Sequence, residues 1–108
     1  MNDAKAIVVL MTAANHDEAT RIAEHLVESH LAACVQIIPG MESVYRWEGV
    51  IEHSSENLIL AKTTEEKFNE FEAAVRAIHS YSTPEIIALP ITSVSAPYLK
   101  WLSMNVDV

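Results

Sequence analysis

The chain is poor in several residue types, and each shortage argues against a class of protein. It has one cysteine among 108 residues, so it cannot form an internal disulfide, and a lone thiol suits a reducing compartment. It has two glycines, Gly40 and Gly49, so it lacks a glycine-rich phosphate loop. No apolar stretch approaches the ~20 residues that a membrane-spanning helix needs. These shortages argue against a protein stabilised by internal disulfides, a P-loop nucleotide-binding protein and a membrane-spanning protein.

Positive charge is also scarce. Seven Lys and Arg residues face fifteen Asp and Glu residues, which gives a net charge of −8 with histidine neutral. Nucleic acids and anionic membranes are bound by basic faces, so neither is an expected partner. Half of the residues are hydrophobic, which is enough to fill a core in one domain spanning residues 1–108.

The first apolar run, Ala6–Ala14, has two interpretations. Lys5 precedes it as in a signal peptide, but the residues before it are roughly neutral together, and the run leads directly into a capped helix. We interpret it as the first strand and expect a cytoplasmic protein.

The first half of the chain shows clear helix and strand signals. The β-branched run Ala6–Met11 predicts a buried strand. Asn15, followed three positions later by Glu18, predicts the N-terminus of an amphipathic helix over Asn15–Ser29.

A long β-hairpin is predicted next. Its arms are Ala33–Trp47 and Val50–Lys62, with Glu48-Gly49 as the turn and a bulge at Pro39-Gly40, since proline cannot donate to the ladder. Thr63 with Glu66 resembles a second capping box.

The remaining predicted elements complete a familiar order. They are a helix over Thr64–His79 with a buried stripe of Phe68, Phe71, Val75 and Ile78, a strand over Ile86–Ile91, and a short helix over Ala96–Met104. The order β-α-β-β-α-β with right-handed crossovers predicts an α+β fold. It is a ferredoxin-like, four-stranded antiparallel sheet with two helices on one face and an additional C-terminal helix.

The length of the hairpin predicts an oligomer. An arm of about 13 residues spans roughly 40 Å, whereas a globule of this length is only about 35 Å across. The apolar tip would be exposed in a monomer, so we expect it to pair with another subunit. The alternative is that the C-terminal segment folds back over it.

Several short segments of the sequence resemble those of a known protein family. They are Leu31-Ala-Ala-Cys-Val35, Ile38-Pro-Gly40, Tyr45-Arg-Trp-Glu-Gly49, Thr83-Pro-Glu-Ile-Ile-Ala-Leu-Pro90 and Tyr98-Leu-Lys-Trp-Leu102. In this order, across nearly the whole chain, they resemble the CutA divalent-cation tolerance family. The resemblance implies a ferredoxin-like homotrimer with interlocking hairpins that associates with copper and other divalent metal ions.

The resemblance also implies candidate metal ligands. Some bacterial members with proposed copper ligands carry cysteine at the place of Met11 and adjacent histidines at the places of Ile78 and His79. Met11 keeps a soft sulfur that suits Cu(I), His79 keeps an imidazole, and Ile78 has no donor atom. Cys34 is either a core thiol or a further ligand. The candidate metal residues are therefore His79, Met11 and Cys34.

Two further groups of residues are candidates for function. An intersubunit cleft that takes a metal-bearing or anionic small molecule would be lined by Trp47, Glu48, Lys62, Tyr81 and Glu85. The trimer interface would include Val44, Tyr45, Arg46 and Trp101.

The leading functional hypothesis is a non-enzymatic trimer for divalent metal (copper) tolerance that binds metal ions weakly. The alternative, by analogy of fold, is a PII-like signalling trimer that binds a small molecule between subunits. An enzyme is the weakest hypothesis, because no nucleophile–base pair is visible.

Overall fold

A computed structural model describes residues 4–106. Within that range the chain forms one four-stranded antiparallel sheet in the order β2-β3-β1-β4, with three α-helices. The elements are β1 (Ala6–Ala13), α1 (His16–Glu28), β2 (Cys34–Trp47), β3 (Val50–Thr64), α2 (Phe68–Ile78), β4 (Ile86–Pro90) and α3 (Ala96–Val106), with a 3-10 turn at Glu65–Lys67 before α2. The predicted α+β, ferredoxin-like fold is confirmed.

The first helix begins as the sequence predicts. Asn15 has extended backbone, and its side-chain oxygen accepts a hydrogen bond from the N–H of Glu18 at 2.9 Å. The Glu18 side chain does not turn back to Asn15, as it would in a capping box, and is nearly buried.

The first arm of the hairpin is one residue shorter than predicted, and the second is two residues longer. The arms have 14 and 15 residues, and Glu48 and Gly49 have φ angles of 50° and 82° at the turn. Positive φ at both central residues is the geometry that matches the twist of paired strands. The register shifts between Ile38 and Met41, which confirms the predicted bulge at Pro39-Gly40.

The second helix begins later than predicted. β3 continues to Thr64, which pairs with Ala6 of β1, so Thr63 lies within a strand and cannot cap a helix. The second capping box was therefore wrong, and α2 begins at Phe68 after the 3-10 turn. Phe71 and Val75 are fully buried as predicted, whereas Ile78, in the last turn of the helix, is exposed.

The two faces of the sheet are very different. Side chains alternate along each strand, and the set that includes Val9, Met11, Ile59 and Ala61 packs against α1 and α2 with no exposed surface. We call this the covered face. The opposite set includes Val8, Leu10, Leu58, Leu60, Ile87 and Leu89, all of them partly or largely exposed. We call this the open face.

The C-terminal helix covers only one end of the open face. Leu102 and Val106 of α3 pack with Ala6 and Ala33, next to the start of β2. The hairpin extends away from that end, and the described residues measure 50 × 25 × 23 Å. Val44, Val50 and Ile51 are each more than half exposed, so α3 does not cover the hairpin tip. Among residues 4–106, no helix combines the length and hydrophobicity needed to span a membrane.

Candidate functional site

A concave cleft lies between the outer part of the hairpin and the loop that connects α2 to β4. Its volume is about 510 Å³, which is within the usual range for small-molecule sites. The side chains that line it are Thr12, Ser43, Val44, Tyr45, Trp47, Glu56, Tyr81, Ser82, Thr83 and Glu85.

Tyr81 and Glu56 are joined across this cleft. The phenol of Tyr81 donates a hydrogen bond of 2.8 Å to Oε2 of Glu56, which is itself nearly buried. Burial, the hydrogen bond to Glu56 and the negative charge of Glu56 raise the pKa of Tyr81 well above its ordinary value. Tyr81 therefore stays protonated and holds its position as a donor at physiological pH.

The imidazole of His79 lies behind Tyr81 and is fully buried. Its Nε2 donates to the carbonyl of Thr12 at 2.8 Å, because a carbonyl oxygen can only accept. Its Nδ1 accepts the backbone N–H of Tyr81 at 3.0 Å, and the two rings lie 4.7 Å apart between centroids. Both ring nitrogens therefore have hydrogen-bond partners within the chain.

Glu18 ties this arrangement to the first helix. Its carboxylate accepts hydrogen bonds from the N–H of Ser80 at 2.7 Å, the hydroxyl of Ser80 at 3.0 Å and the N–H of Ala14 at 3.2 Å. Burial alone would raise the pKa of Glu18, but these hydrogen bonds and the nearby His79 outweigh it, and the pKa is lowered. The start of α1 is thereby held against the end of α2.

The three candidate metal ligands do not form one site. Met11 points into the covered face. Cys34 pairs with Lys62 in the register that places it on the open face, near Tyr98. His79 has no free nitrogen. No cluster of three or more His, Cys, Asp or Glu side chains suited to a metal occurs among residues 4–106. The metal set His79, Met11 and Cys34 therefore needs correction, because strand alternation separates its two sulfur atoms.

Three of the five predicted cleft residues line the observed cleft, namely Trp47, Tyr81 and Glu85. Lys62 lies farther along β3, where its ammonium group donates to the amide oxygen of Gln36, and Glu48 lies in the hairpin turn. The lining contains two carboxylates and, among the described residues, no lysine, arginine or histidine. The predicted metal-bearing or anionic ligand belongs to a cleft between subunits, so it stays a prediction.

The residues predicted at the trimer interface are all exposed in the single chain. Val44, Tyr45 and Arg46 lie on the outer part of β2, and Trp101 lies on α3 beside Tyr98. Their exposure fits an interface, and their contact with another subunit stays a prediction.

Two important residues were missed as site residues by the sequence reasoning. Glu18 was used only to predict the N-terminus of α1, although its place three residues after Asn15 also puts it beside any segment that packs on that helix end. Glu56 lies in the polar half of a strand that includes Glu52, Ser54 and Ser55, and no local signal distinguishes it from its exposed neighbours.

Comparisons with known proteins agree with this fold. Residues 7–105 match the family model described as CutA1 divalent ion tolerance protein. A divalent-cation tolerance protein CutA of Thermus thermophilus is 47% identical over 98 residues, which cover 91% of this chain and 95% of that protein. A chloroplastic CutA of Arabidopsis thaliana is 45% identical over 97 residues, 90% of this chain but 53% of that protein.

A solved structure gives the same result. The structure of the periplasmic divalent cation tolerance protein CutA from Archaeoglobus fulgidus superposes with a TM-score of 0.91 at 42% identity, covering 94% of this chain and 98% of that one. The family resemblance seen in the sequence is therefore confirmed: the chain belongs to the CutA1 divalent ion tolerance family.

Proposed function

We propose that the protein is a non-enzymatic, cytoplasmic homotrimer that acts in the tolerance of divalent metal ions, copper among them, and binds these ions weakly. The observation that carries this proposal is the family match over residues 7–105. The lone cysteine suits the reducing cytoplasm. Relatives are named as chloroplastic or periplasmic, so fractionation of cells that express the protein from its natural gene tests the location.

The open face and the hairpin support the assembly. Ile87 and Leu89 are 48% and 42% exposed on a sheet face that a monomer would leave in water. Contiguous apolar patches and long bare strand edges usually mark interfaces. A second and a third copy of the chain would cover both features.

Sedimentation equilibrium tests the trimer. We expect three times the mass of the chain for the unaltered protein and a shift towards monomer for Ile87→Glu, which places a charge on the open face. Val27→Glu is the matched control, because Val27 is a similarly exposed apolar residue on α1. Sedimentation of the unaltered protein as a monomer would refute the proposed assembly.

Weak metal binding is supported by exposed donor groups on the hairpin. Nδ1 of His53 lies 3.5 Å from Oε2 of Glu42, and both side chains are more than 60% exposed. An imidazole next to a carboxylate suits borderline metals, but two donors without a third make a loose site.

Calorimetric titration with Cu(II) and Zn(II) tests this binding. We expect His53→Ala to raise the dissociation constant for these ions. His16→Ala should leave it unchanged, since His16 lies at the exposed start of α1. Equal affinity in both variants would exclude the hairpin pair.

The tolerance role itself needs a test in cells. In a bacterial strain that lacks its own family member and grows poorly on copper, expression of the chain should restore growth. Growth on copper no better than with an empty vector would contradict the proposed role, whatever the calorimetry shows. The PII-like alternative is not supported, since the matching family model and the relatives named above are CutA proteins.

A further inference from the structure

We propose that the cleft between the hairpin and the α2–β4 loop binds a small organic cation, such as a primary or quaternary amine. Glu56 and Glu85 would be its charge partners, and the aromatic side chains Tyr45, Trp47 and Tyr81 would form its walls. This inference goes beyond the proposed function, since metal tolerance assigns no role to this cleft.

The strongest observation concerns Glu56. The residue is 7% exposed and lines the cleft, yet among the described residues its carboxylate accepts only one hydrogen bond, from the neutral phenol of Tyr81. Within residues 4–106 it forms no ion pair. A carboxylate removed from water is costly unless a positive charge or several donors compensate it. The cleft therefore presents a charge that lacks a counterpart.

The cationic side chains of the hairpin do not supply that counterpart. Arg46 reaches the carbonyl of Gly49 at the turn, and Lys62 donates to Gln36 at the other end of β3. The second carboxylate of the cleft, that of Glu85 in the α2–β4 loop, adds negative charge. A visiting group that neutralises both must be positive.

The walls of the cleft favour an organic cation over a bare metal ion. Tyr45, Trp47 and Tyr81 contribute three aromatic side chains, and aromatic faces attract ammonium groups by cation–π interaction. A hard metal ion instead needs six or more oxygen donors at short distance, and two carboxylates supply at most four. A cavity of about 510 Å³ also has room for a molecule of several carbon atoms.

Fluorescence titration tests the site directly. The chain has two tryptophans, so in a Trp101→Phe background the signal reports Trp47 alone. The probe is choline, and its neutral isostere 3,3-dimethylbutanol is the matched control ligand. We expect choline to cause a saturable change, and the neutral alcohol to bind about tenfold more weakly or worse.

Variants of the carboxylates complete the test. In the same background, Glu56→Gln and Glu85→Gln should each weaken choline binding about tenfold. Glu52→Gln, an exposed residue on the same hairpin outside the cleft lining, should leave it unchanged. If circular dichroism shows that Glu56→Gln is misfolded, the Glu85→Gln variant still tests the proposal, because Glu85 is exposed.

Three results would overturn the proposal. Equal binding of choline and 3,3-dimethylbutanol would show that charge is irrelevant. Binding of Zn(II) that Glu56→Gln abolishes, without choline binding, would make the cleft a metal site. Absence of choline binding, together with a crystal structure of the oligomer in which a lysine or arginine of another copy reaches Glu56, would make it a subunit contact.

Discussion

The two faces of the sheet are built from the same four strands but differ in how far the chain itself buries them. On the covered face, Met11 and Ile59 are fully buried beneath helices of the same chain, and Phe71 of α2 belongs to the same core. On the open face, Ile87 and Leu89 remain in contact with water, and α3 protects only the end near Ala33. Alternation along a strand therefore lets one segment stabilise its own domain with one set of side chains and present the other set to a partner.

The largest expected effect contrasts a truncation on each face. Phe71→Ala removes a fully buried ring next to Phe68 and should lower the free energy of unfolding by ~3–5 kcal/mol. Leu89→Ala, at a partly exposed position of β4, should cost less than about 1 kcal/mol in the single chain, because little buried area is lost. Urea denaturation measures both.

Protein concentration sharpens this contrast. Mass action makes the unfolding midpoint of an oligomer rise with concentration. The Leu89→Ala variant should show a weaker rise than the unaltered protein, whereas Phe71→Ala should lower the midpoint at every concentration. An equal loss for both variants in dilute solution would show that the faces do not differ in this way.

A smaller effect is expected at the polar junction of α1 and α2. Glu18→Gln replaces an acceptor of three hydrogen bonds and should destabilise the protein by about 1–3 kcal/mol at neutral pH. Glu24→Gln, exposed on the same helix, is the control.

The pH dependence of Glu18 has a definite sign. Because its pKa is lower in the folded state, its contribution is complete above the ordinary value of 4.5 and is lost as the pH falls through the folded value. The difference between Glu18→Gln and the unaltered protein should therefore shrink in acid. A difference that stays constant down to the acid transition would contradict the hydrogen-bonded carboxylate.

The cleft provides the next comparison. Tyr81→Phe removes the only hydrogen bond that Glu56 accepts among the described residues and should cost about 1–2 kcal/mol. Tyr45→Phe removes a bond to the exposed hydroxyl of Ser54 and should cost less. In an alkaline absorbance titration, one of the three tyrosines should ionise at a higher pH than the others. The absorbance change of that tyrosine should be missing from the Tyr81→Phe variant only.

The smallest effect is expected at the hairpin turn. Glu48 has a φ of 50°, which glutamate adopts at a cost and asparagine tolerates, and Asn-Gly is favoured in this type of turn. Glu48→Asn should raise the stability by about 0.5 kcal/mol in thermal unfolding. Gly49→Ala, at a φ of 82°, should lower it, and a gain from Gly49→Ala would contradict the turn geometry.

Much of the fold was predictable, because its signals are local. The Asn15 cap, the Glu48-Gly49 turn and the bulge after Ile38 each depend on residues that are neighbours in the sequence. The start of α2 was not predictable in this way. Thr63 can cap a helix or continue a strand, and its pairing with Ile7, more than fifty positions away, decides between them.

The candidate site was predictable only in part. Trp47, Tyr81 and Glu85 could be placed together because the fold brings the hairpin near the α2–β4 loop. The metal set failed because the register across three strands determines which face Cys34 takes. The acidic character of the cleft depends on Glu56 as well as Glu85, and the hydrogen bond that joins Glu56 to Tyr81 links residues 25 positions apart, so no local pattern indicates it.

The hydrogen bonds of Glu18 have a consequence for ligand affinity. By holding Ser80 against the first helix, they fix the start of the loop that forms one wall of the cleft, before any ligand arrives. A ligand that enters a rigid wall does not lose affinity to the ordering of a loop. A residue that never touches the ligand would thus influence how tightly it is held, by limiting the entropy that the empty protein has to lose.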